Sequence, residues 1–167
     1  MSAKQSTIGP VASTERIVSL DVLRGFAVLG ILIMNIQSFS MIDAAYMNPG
    51  AYGDLTGINK WVWIISHMLG DLKFITIFSM LFGAGILLMT NRTESKGLKP
   101  APLHYRRTLW LLLIGLIHAY VFWTGDILFS YAICALIAFA FRKLSPKVLL
   151  LSGLGIFTAG SVLYILF

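Results

Sequence analysis

Ser19-Leu20-Asp21-Val22-Leu23-Arg24-Gly25-Phe26-Ala27-Val28-Leu29-Gly30-Ile31-Leu32-Ile33-Met34-Asn35 decides the fold. It opens with a carboxylate and a guanidinium three residues apart, and no further charge follows before Met41. A helix needs about 20 such residues to cross a hydrocarbon layer about 30 Å thick. In lipid only helices and closed barrels satisfy their own backbone groups. The stretch therefore reads as a membrane helix with Asp21 and Arg24 at its mouth. The two fall on one helical face and can pair. Charges at that depth are costly and are usually retained for a purpose, and an Arg facing a bundle interior anchors phosphate or carboxylate well. The competing reading is an interfacial ion pair that only orients the helix.

The rest of the chain repeats the pattern. Of 167 residues, 57% are hydrophobic and 12% charged, with a mean hydropathy of +0.83. Soluble domains carry about a quarter charged residues. The net charge of +6 sits in short loops between apolar runs, which is a topology signal and not a nucleic-acid groove. The expected partner is the lipid bilayer, with no nucleic acid.

Five apolar spans are expected: about Val22 to Met41, Leu72 to Met89, Thr108 to Thr124, Ile127 to Phe141 and Val148 to Phe167. The fold class is then all-α, a polytopic transmembrane helix bundle of about five spans. Gly125-Asp126 joins the third and fourth as a tight hairpin. Ile58 to Leu69 reads as a short surface helix, and Tyr46, Tyr52, Trp61 and Trp63 suit a membrane interface. Residues 1–15 are polar and lack the features of a secretory signal. They read as a flexible cytoplasmic tail ahead of a transmembrane domain over 16–167. The odd number of spans and the apolar end at Phe167 suggest the N-terminal part of a longer protein. No internal repeat or heptad is present, and nothing in the pattern sets an oligomeric state.

Lys and Arg give the orientation. Lys4 and Arg16 lie in the tail, Arg92, Lys96, Lys99, Arg106 and Arg107 in the second loop, and Arg142, Lys143 and Lys147 in the fourth. The first loop has Lys60 alone, and the Gly125-Asp126 turn has no cation. The N-terminus is then cytoplasmic. In a bacterial chain this means a multi-pass protein of the cytoplasmic (inner) membrane, with the first loop and the hairpin turn in the periplasm. Cys134, the single cysteine, lies in an apolar run and reads as packing.

By depth the polar groups form two layers. Asp21, Arg24, His104, Tyr105, Arg106 and Arg107 lie on the cytoplasmic side, and Asn35, His67, Asp71, Lys73, His118 and Asp126 on the outer side. His118 is a candidate general base, or a histidine hydrogen-bonded across a helix interface. Asp126 reads first as a helix cap. His67 and Asp71 are four apart on one possible helical face, but no third ligand is evident and no metal site is expected. Asn35 reads as interhelical glue, and Lys73 as a cation able to snorkel. Ser79-Met80-Leu81-Phe82-Gly83-Ala84-Gly85 suits close helix packing better than a phosphate loop. Arg106 and Arg107 are positive-inside anchors that can also meet a nucleotide-bearing ligand.

Arg16 to Ile36 as a whole resembles the opening of the YeiB-like bacterial membrane proteins. So do Lys73-Phe74 leading to Phe78-Ser79-Met80-Leu81-Phe82-Gly83-Ala84-Gly85, Tyr105-Arg106-Arg107 followed by Gly115-Leu116-Ile117-His118, and Gly125-Asp126-Ile127-Leu128 with Tyr131-Ala132. The Ser-Leu-Asp-x-x-Arg-Gly opening is also similar to a wider group of transmembrane acyltransferases, the acyltransferase-3 and heparan-acetyltransferase types. That resemblance implies an acyl donor met from the cytoplasm and a small-molecule, sugar or lipid acceptor on the far side. Acyl-CoA would be a co-substrate, with no bound cofactor. It implies donor or substrate binding by Asp21, Arg24, Asn35, Lys73, Arg106 and Arg107, and catalysis by His118 and Asp126. One departure matters. The acyltransferase-3 type has a histidine eleven residues after the motif arginine, where this chain has Asn35. Asn is no base at neutral pH, so the base would have moved to His118. In the heparan type the working histidine precedes the second helix, a region holding Lys60, Trp61 and His67 here. The alternative functions are a transporter or permease of a small solute, its path lined by Asn35, Lys73 and His118, and a structural subunit.

Overall fold

A computed structural model describes residues 16–42 and 44–166 of the chain. All the regular structure among them is helical. α1 is Val18–Ser40, α2 Ala44–Met47, α3 Gly57–Gly70, α4 Lys73–Ser95, α5 Pro100–Ile117, α6 Leu128–Phe141 and α7 Pro146–Leu166. A 3-10 turn, Pro49–Ala51, follows α2, and a π-helical segment, His118–Phe122, follows α5. The chain divides into two compact units, 1–85 and 86–167, with the boundary inside α4.

In the first unit α1 buries a narrow stripe of Ala27, Gly30 and Met34 and leaves its other apolar side chains exposed. That is how a helix looks when lipid, not protein, covers most of its surface. The stripe is where α1 receives its neighbours. The Phe74 ring lies over Gly30, where a Cβ would sit 2.1 Å from it. Phe74 also meets Phe26 edge-on at 5.5 Å. Met34 occupies the space that a side chain at Gly70 would need. α3 starts at Gly57, whose φ of +51° suits only glycine without strain. It ends where Asp71 caps the last turn with its backbone N–H on the His67 carbonyl. Leu72 then takes a left-handed φ of +58°, which breaks the chain between α3 and α4.

In the second unit α4 ends at Ser95, and Gly97, with a φ of +72°, lets the Gly97 and Leu98 N–H groups reach the Glu94 and Thr93 carbonyls. α5 begins with Pro100, pre-set for the first turn of a helix. α5 and α6 then pack as a hairpin. Gly115 lies against the α6 backbone, with a Cβ there only 2.5 Å from the Phe129 nitrogen. Ala132, Ala135 and Phe139 are buried along the same face of α6. At the other end the buried His104 ring stacks on Phe139 at 4.6 Å, and its Nε2 donates to the Ala135 carbonyl at 3.0 Å. The Arg142 guanidinium lies 3.9 Å from the centre of the same Phe139 ring. Glu94 pairs with Arg142 and Lys143 at 3.6 and 3.5 Å.

Several expectations change. Three helical stretches among the described residues are long and apolar enough to cross a membrane: Val18–Ser40, Gly57–Ser95 and Pro146–Leu166. The expected third span starts earlier, at Pro100, so Tyr105, Arg106 and Arg107 are helical and not in a loop. The expected fourth is a helix of 14 residues, about 21 Å long, which falls short of a full hydrocarbon layer. Within the small-residue run Ser79–Gly85, Leu81 is buried, while the two glycines have more room. Gly83 has no atom within 4 Å of a built Cβ, and Gly85 meets only the tip of Arg24, at 3.6 Å. A closer approach is at Gly30, where the Phe74 ring lies against the bare backbone. The tail 1–15, Asp43 and Phe167 lie outside the described residues.

Candidate functional site

The expected hairpin turn holds the most developed polar geometry. α5 would continue through His118, but Trp123 donates its N–H to the His118 carbonyl at 2.9 Å, five residues back. That closes a π turn, a distortion found disproportionately at functional sites. The chain then reverses through Thr124-Gly125. A Cβ at Gly125 would lie 2.4 Å from the Trp123 ring, so a side chain there would force that ring to shift. Asp126 follows, its side chain 1% exposed.

The Asp126 carboxylate does two things. Oδ2 accepts the Phe129 N–H at 2.7 Å, satisfying an orphan donor at the start of α6. Oδ1 accepts from His118 Nδ1, also at 2.7 Å. A carboxylate is an acceptor only, so the proton is assigned to Nδ1 and Nε2 keeps its lone pair. The His118 side chain is 38% exposed, which leaves that nitrogen able to meet a ligand. Burial alone would raise the Asp126 carboxyl, but the N–H groups of Phe129 and Leu128 and the His118 ring together hold it below its ordinary value. It therefore stays an anion that orients the imidazole and stabilises its charged form. A histidine oriented by a buried carboxylate, its far nitrogen open, is a proton acceptor in the right tautomer for general-base chemistry.

In the first unit, Arg24 Nη1 lies 3.4 Å from Asp21 Oδ1, and both side chains are about half exposed, at 41% and 52%. The i,i+3 pair forms as expected, in a loose geometry. Asn35 is half-buried in α1 and makes no side-chain hydrogen bond among the described residues, so the expected interhelical bond is not formed there. Lys73 is exposed at the start of α4, with its Nζ 3.3 Å from the Asp71 carbonyl. Arg106 and Arg107 are exposed on α5 in the second unit.

His67 and Asp71 do not pair as their spacing suggested. His67 Nδ1 donates to the Trp63 carbonyl at 2.9 Å, and its ring stacks on Trp63 at 4.2 Å. Asp71 instead accepts the Tyr46 hydroxyl at 2.9 Å. Burial, then the Asp71 carboxylate, pushes the Tyr46 hydroxyl up to about 12. The sequence reading had Tyr46 only as an interfacial aromatic. The partners are 25 residues apart, a separation that no local spacing rule reaches. Among the described residues no group of three ligands suits a metal ion.

No protein-family model matches the chain, and no solved structure matches it. Curated sequences do. The chain is 40% identical over 151 residues to the uncharacterised protein YeiB of Escherichia coli, covering 90% of this chain and 36% of that one. It is 38% identical over 167 residues to the uncharacterised protein YxaH of Bacillus subtilis, covering 96% and 41%. It is 34% identical over 144 residues to an uncharacterised 39.9 kDa protein encoded in the amylase 3′ region of Bacillus acidopullulyticus, covering 86% and 39%. The chain thus spans about two fifths of the length of the relatives it matches. Similarity at 34–40% identity over most of the chain, apolar helices and polar turn included, makes its homologues the uncharacterised proteins of the YeiB/YxaH family.

Proposed function

We propose that the protein transfers acyl groups from a cytoplasmic acyl donor, acyl-CoA by class, to an acceptor at the outer face of a bacterial inner membrane, which it crosses several times. The observation that carries this reading is the His118–Asp126 pair, with the carboxylate buried and the far imidazole nitrogen accessible.

In the proposed step His118 Nε2 removes the proton of an acceptor hydroxyl or amine as that atom attacks the thioester carbonyl. The carbon–sulfur bond breaks, and the departing thiolate takes the proton back from the imidazolium. Asp126 stabilises the imidazolium while it exists. Arg106 and Arg107 lie eleven to twelve residues before His118 on α5, about 17 Å along the helix axis. Cations at that remove suit the donor's phosphates, with its acyl end reaching towards the pair through an extended arm. Asp21 and Arg24 are assigned to donor binding on the resemblance of the Ser-Leu-Asp-x-x-Arg-Gly opening. Asn35 and Lys73 serve substrate binding.

Two measurements test it. Acyl-CoA should bind saturably to the detergent-solubilised protein, and Arg24→Ala or the double change Arg106→Ala/Arg107→Ala should weaken that binding while the fold survives. Release of free CoA thiol in the presence of an acceptor should depend on His118. A folded protein that binds no acyl-CoA would overturn the reading, and solute flux into vesicles without thiol release would replace it with transport.

A further inference from the structure

The junction of α3 and α4 in the first unit carries an open, mostly apolar cavity with a few polar groups on its wall, of which the acyl-transfer reading uses only Lys73. Its volume is ≈ 540 Å³, and His67, Asp71, Leu72, Lys73, Thr76 and Ile77 line it. Small-molecule sites commonly fall between about 300 and 1,000 Å³. The hydrogen-bond inventory says what would fill it. His67 Nδ1 spends its proton on the Trp63 carbonyl, so Nε2 is a bare acceptor. That nitrogen is buried and has no partner among the described residues. Asp71 gives one carboxylate oxygen to Tyr46, and its other oxygen has no partner among the described residues. Thr76 spends its hydroxyl proton on the Leu72 carbonyl and keeps its lone pairs. Against these acceptors stands one ammonium, that of Lys73, which already leans on the Asp71 carbonyl.

A buried acceptor without a donor is an unfavourable state that folded proteins rarely leave uncompensated. An anion would meet the Asp71 carboxylate and a bare nitrogen, and a metal ion would lack ligands. We propose that this cavity binds a small molecule that donates hydrogen bonds, a primary amine or a polyol, through His67 Nε2 and the free oxygen of Asp71. Leu72 supports the assignment. Its left-handed backbone is uncommon for a non-glycine residue, and it lies between Asp71 and Lys73 in the cavity lining. Lys73 is shared with the acyl-transfer reading, but the test is separate: it measures binding alone and involves neither His118 nor an acyl donor.

The direct readout is the nitrogen chemical shift of His67 in detergent-solubilised chain labelled on its three histidines, assigned by comparison with His67→Gln. Titration with ethanolamine, and separately with sorbitol, should move the Nε2 signal saturably with at least one of them. A response to both marks shared donor recognition, and a response to ethanolamine alone marks the ammonium. Asp71→Ala should weaken ethanolamine by about tenfold, the worth of one charge-assisted bond. Lys73→Gln should leave ethanolamine binding at least as tight, since it removes a like charge. If Asp71→Ala does not fold, Asp71→Asn replaces it. That variant keeps the oxygen Tyr46 needs and should lose ethanolamine selectively. No saturable shift with either probe in the folded protein overturns the proposal. So does a shift driven by acetate or phosphate that disappears in Lys73→Gln.

Discussion

The structure treats two combinations of histidine and aspartate in opposite ways. His67 and Asp71 are four residues apart, the spacing that puts two side chains on one helical face, yet they do not bond. α3 ends at Gly70 and the backbone turns at Leu72, so Asp71 leaves the helical course just where the rule would apply. It finds Tyr46 instead. His118 and Asp126 are eight apart with no helical relation, and they form a 2.7 Å hydrogen bond. A π turn, a reversal at Gly125 and the start of α6 bring them together. A spacing rule holds only while the helix beneath it is unbroken, and chemistry here collects at the breaks.

The comparison can be broken most severely through the glycine beneath the second pair. A side chain at Gly115 would collide with the α6 backbone at Phe129, and backbone cannot rotate aside. Gly115→Leu should cost about 3 kcal/mol or more, seen as a large fall in the melting temperature of the solubilised protein. The His118–Asp126 bond should be lost with it, because α6 carries the donors that fix Asp126. Gly30→Ala in the first unit meets the Phe74 ring first, a side chain that can give where backbone cannot, and should cost about 1–3 kcal/mol. Equal costs at the two glycines would mean that the hairpin crossing has slack the geometry does not show.

Next in size is removal of the carboxylates themselves. Asp126→Ala deletes a buried group that bonds a backbone N–H and a histidine, and should cost about 2–3 kcal/mol. Asp71→Ala deletes one bond to a half-buried tyrosine and should cost about 1 kcal/mol. Chemical denaturation of both variants in one detergent measures the difference. A larger loss at Asp71 would reverse the ranking of the two sites.

These contrasts also show what the sequence could and could not reveal. The apolar runs at Val18–Ser40 and Pro146–Leu166 and the separate helix before Lys73 were legible, because twenty apolar residues or a change of pattern at Gly70-Asp71 can be counted. Asp126 was legible as a helix start, since a turn Gly-Asp before an apolar run leaves few other roles. The forward extension of α5 to Pro100 was not, because Arg106 and Arg107 read as loop residues when only charge is considered. Nor was the pairing of Asp126 with His118, which depends on the π segment over His-Ala-Tyr-Val-Phe, a backbone choice with no propensity signature. Tyr46 was invisible as a partner because its bond to Asp71 spans a loop.

pH separates the two sites by sign. The folded Asp126 carboxyl titrates below its ordinary value of 3.8. Its contribution is therefore fully present above that value and is lost as pH falls through the lower folded pKa. The folded Tyr46 hydroxyl titrates at about 12 against an ordinary 10.0. Its contribution is present below pH 10.0 and is lost as pH rises through about 12. Melting curves of the solubilised protein should show an acid limb that Asp126→Asn flattens and an alkaline limb that Tyr46→Phe flattens, each variant leaving the other limb alone. A single variant that flattens both would mean the sites do not titrate separately.

The smallest expected effect on stability falls on the pair that first drew notice. Asp21 and Arg24 are 3.4 Å apart with about half of each side chain exposed. Exposed ion pairs contribute between nothing and about 1 kcal/mol. Arg24→Ala should change the unfolding free energy by less than about 0.5 kcal/mol, far below either glycine change. Its guanidinium tip nevertheless comes within 3.6 Å of where a Gly85 Cβ would be, so Gly85 leaves room for that group at the cytoplasmic end proposed for it. A charge that contributes little to the fold is free to be kept for a ligand. If acyl-CoA binding falls sharply in Arg24→Ala while the melting curve is unmoved, the residue belongs to binding. If the melting temperature falls and binding falls only with it, Arg24 belongs with the packing residues, and the donor side of the proposal rests on Arg106 and Arg107 alone.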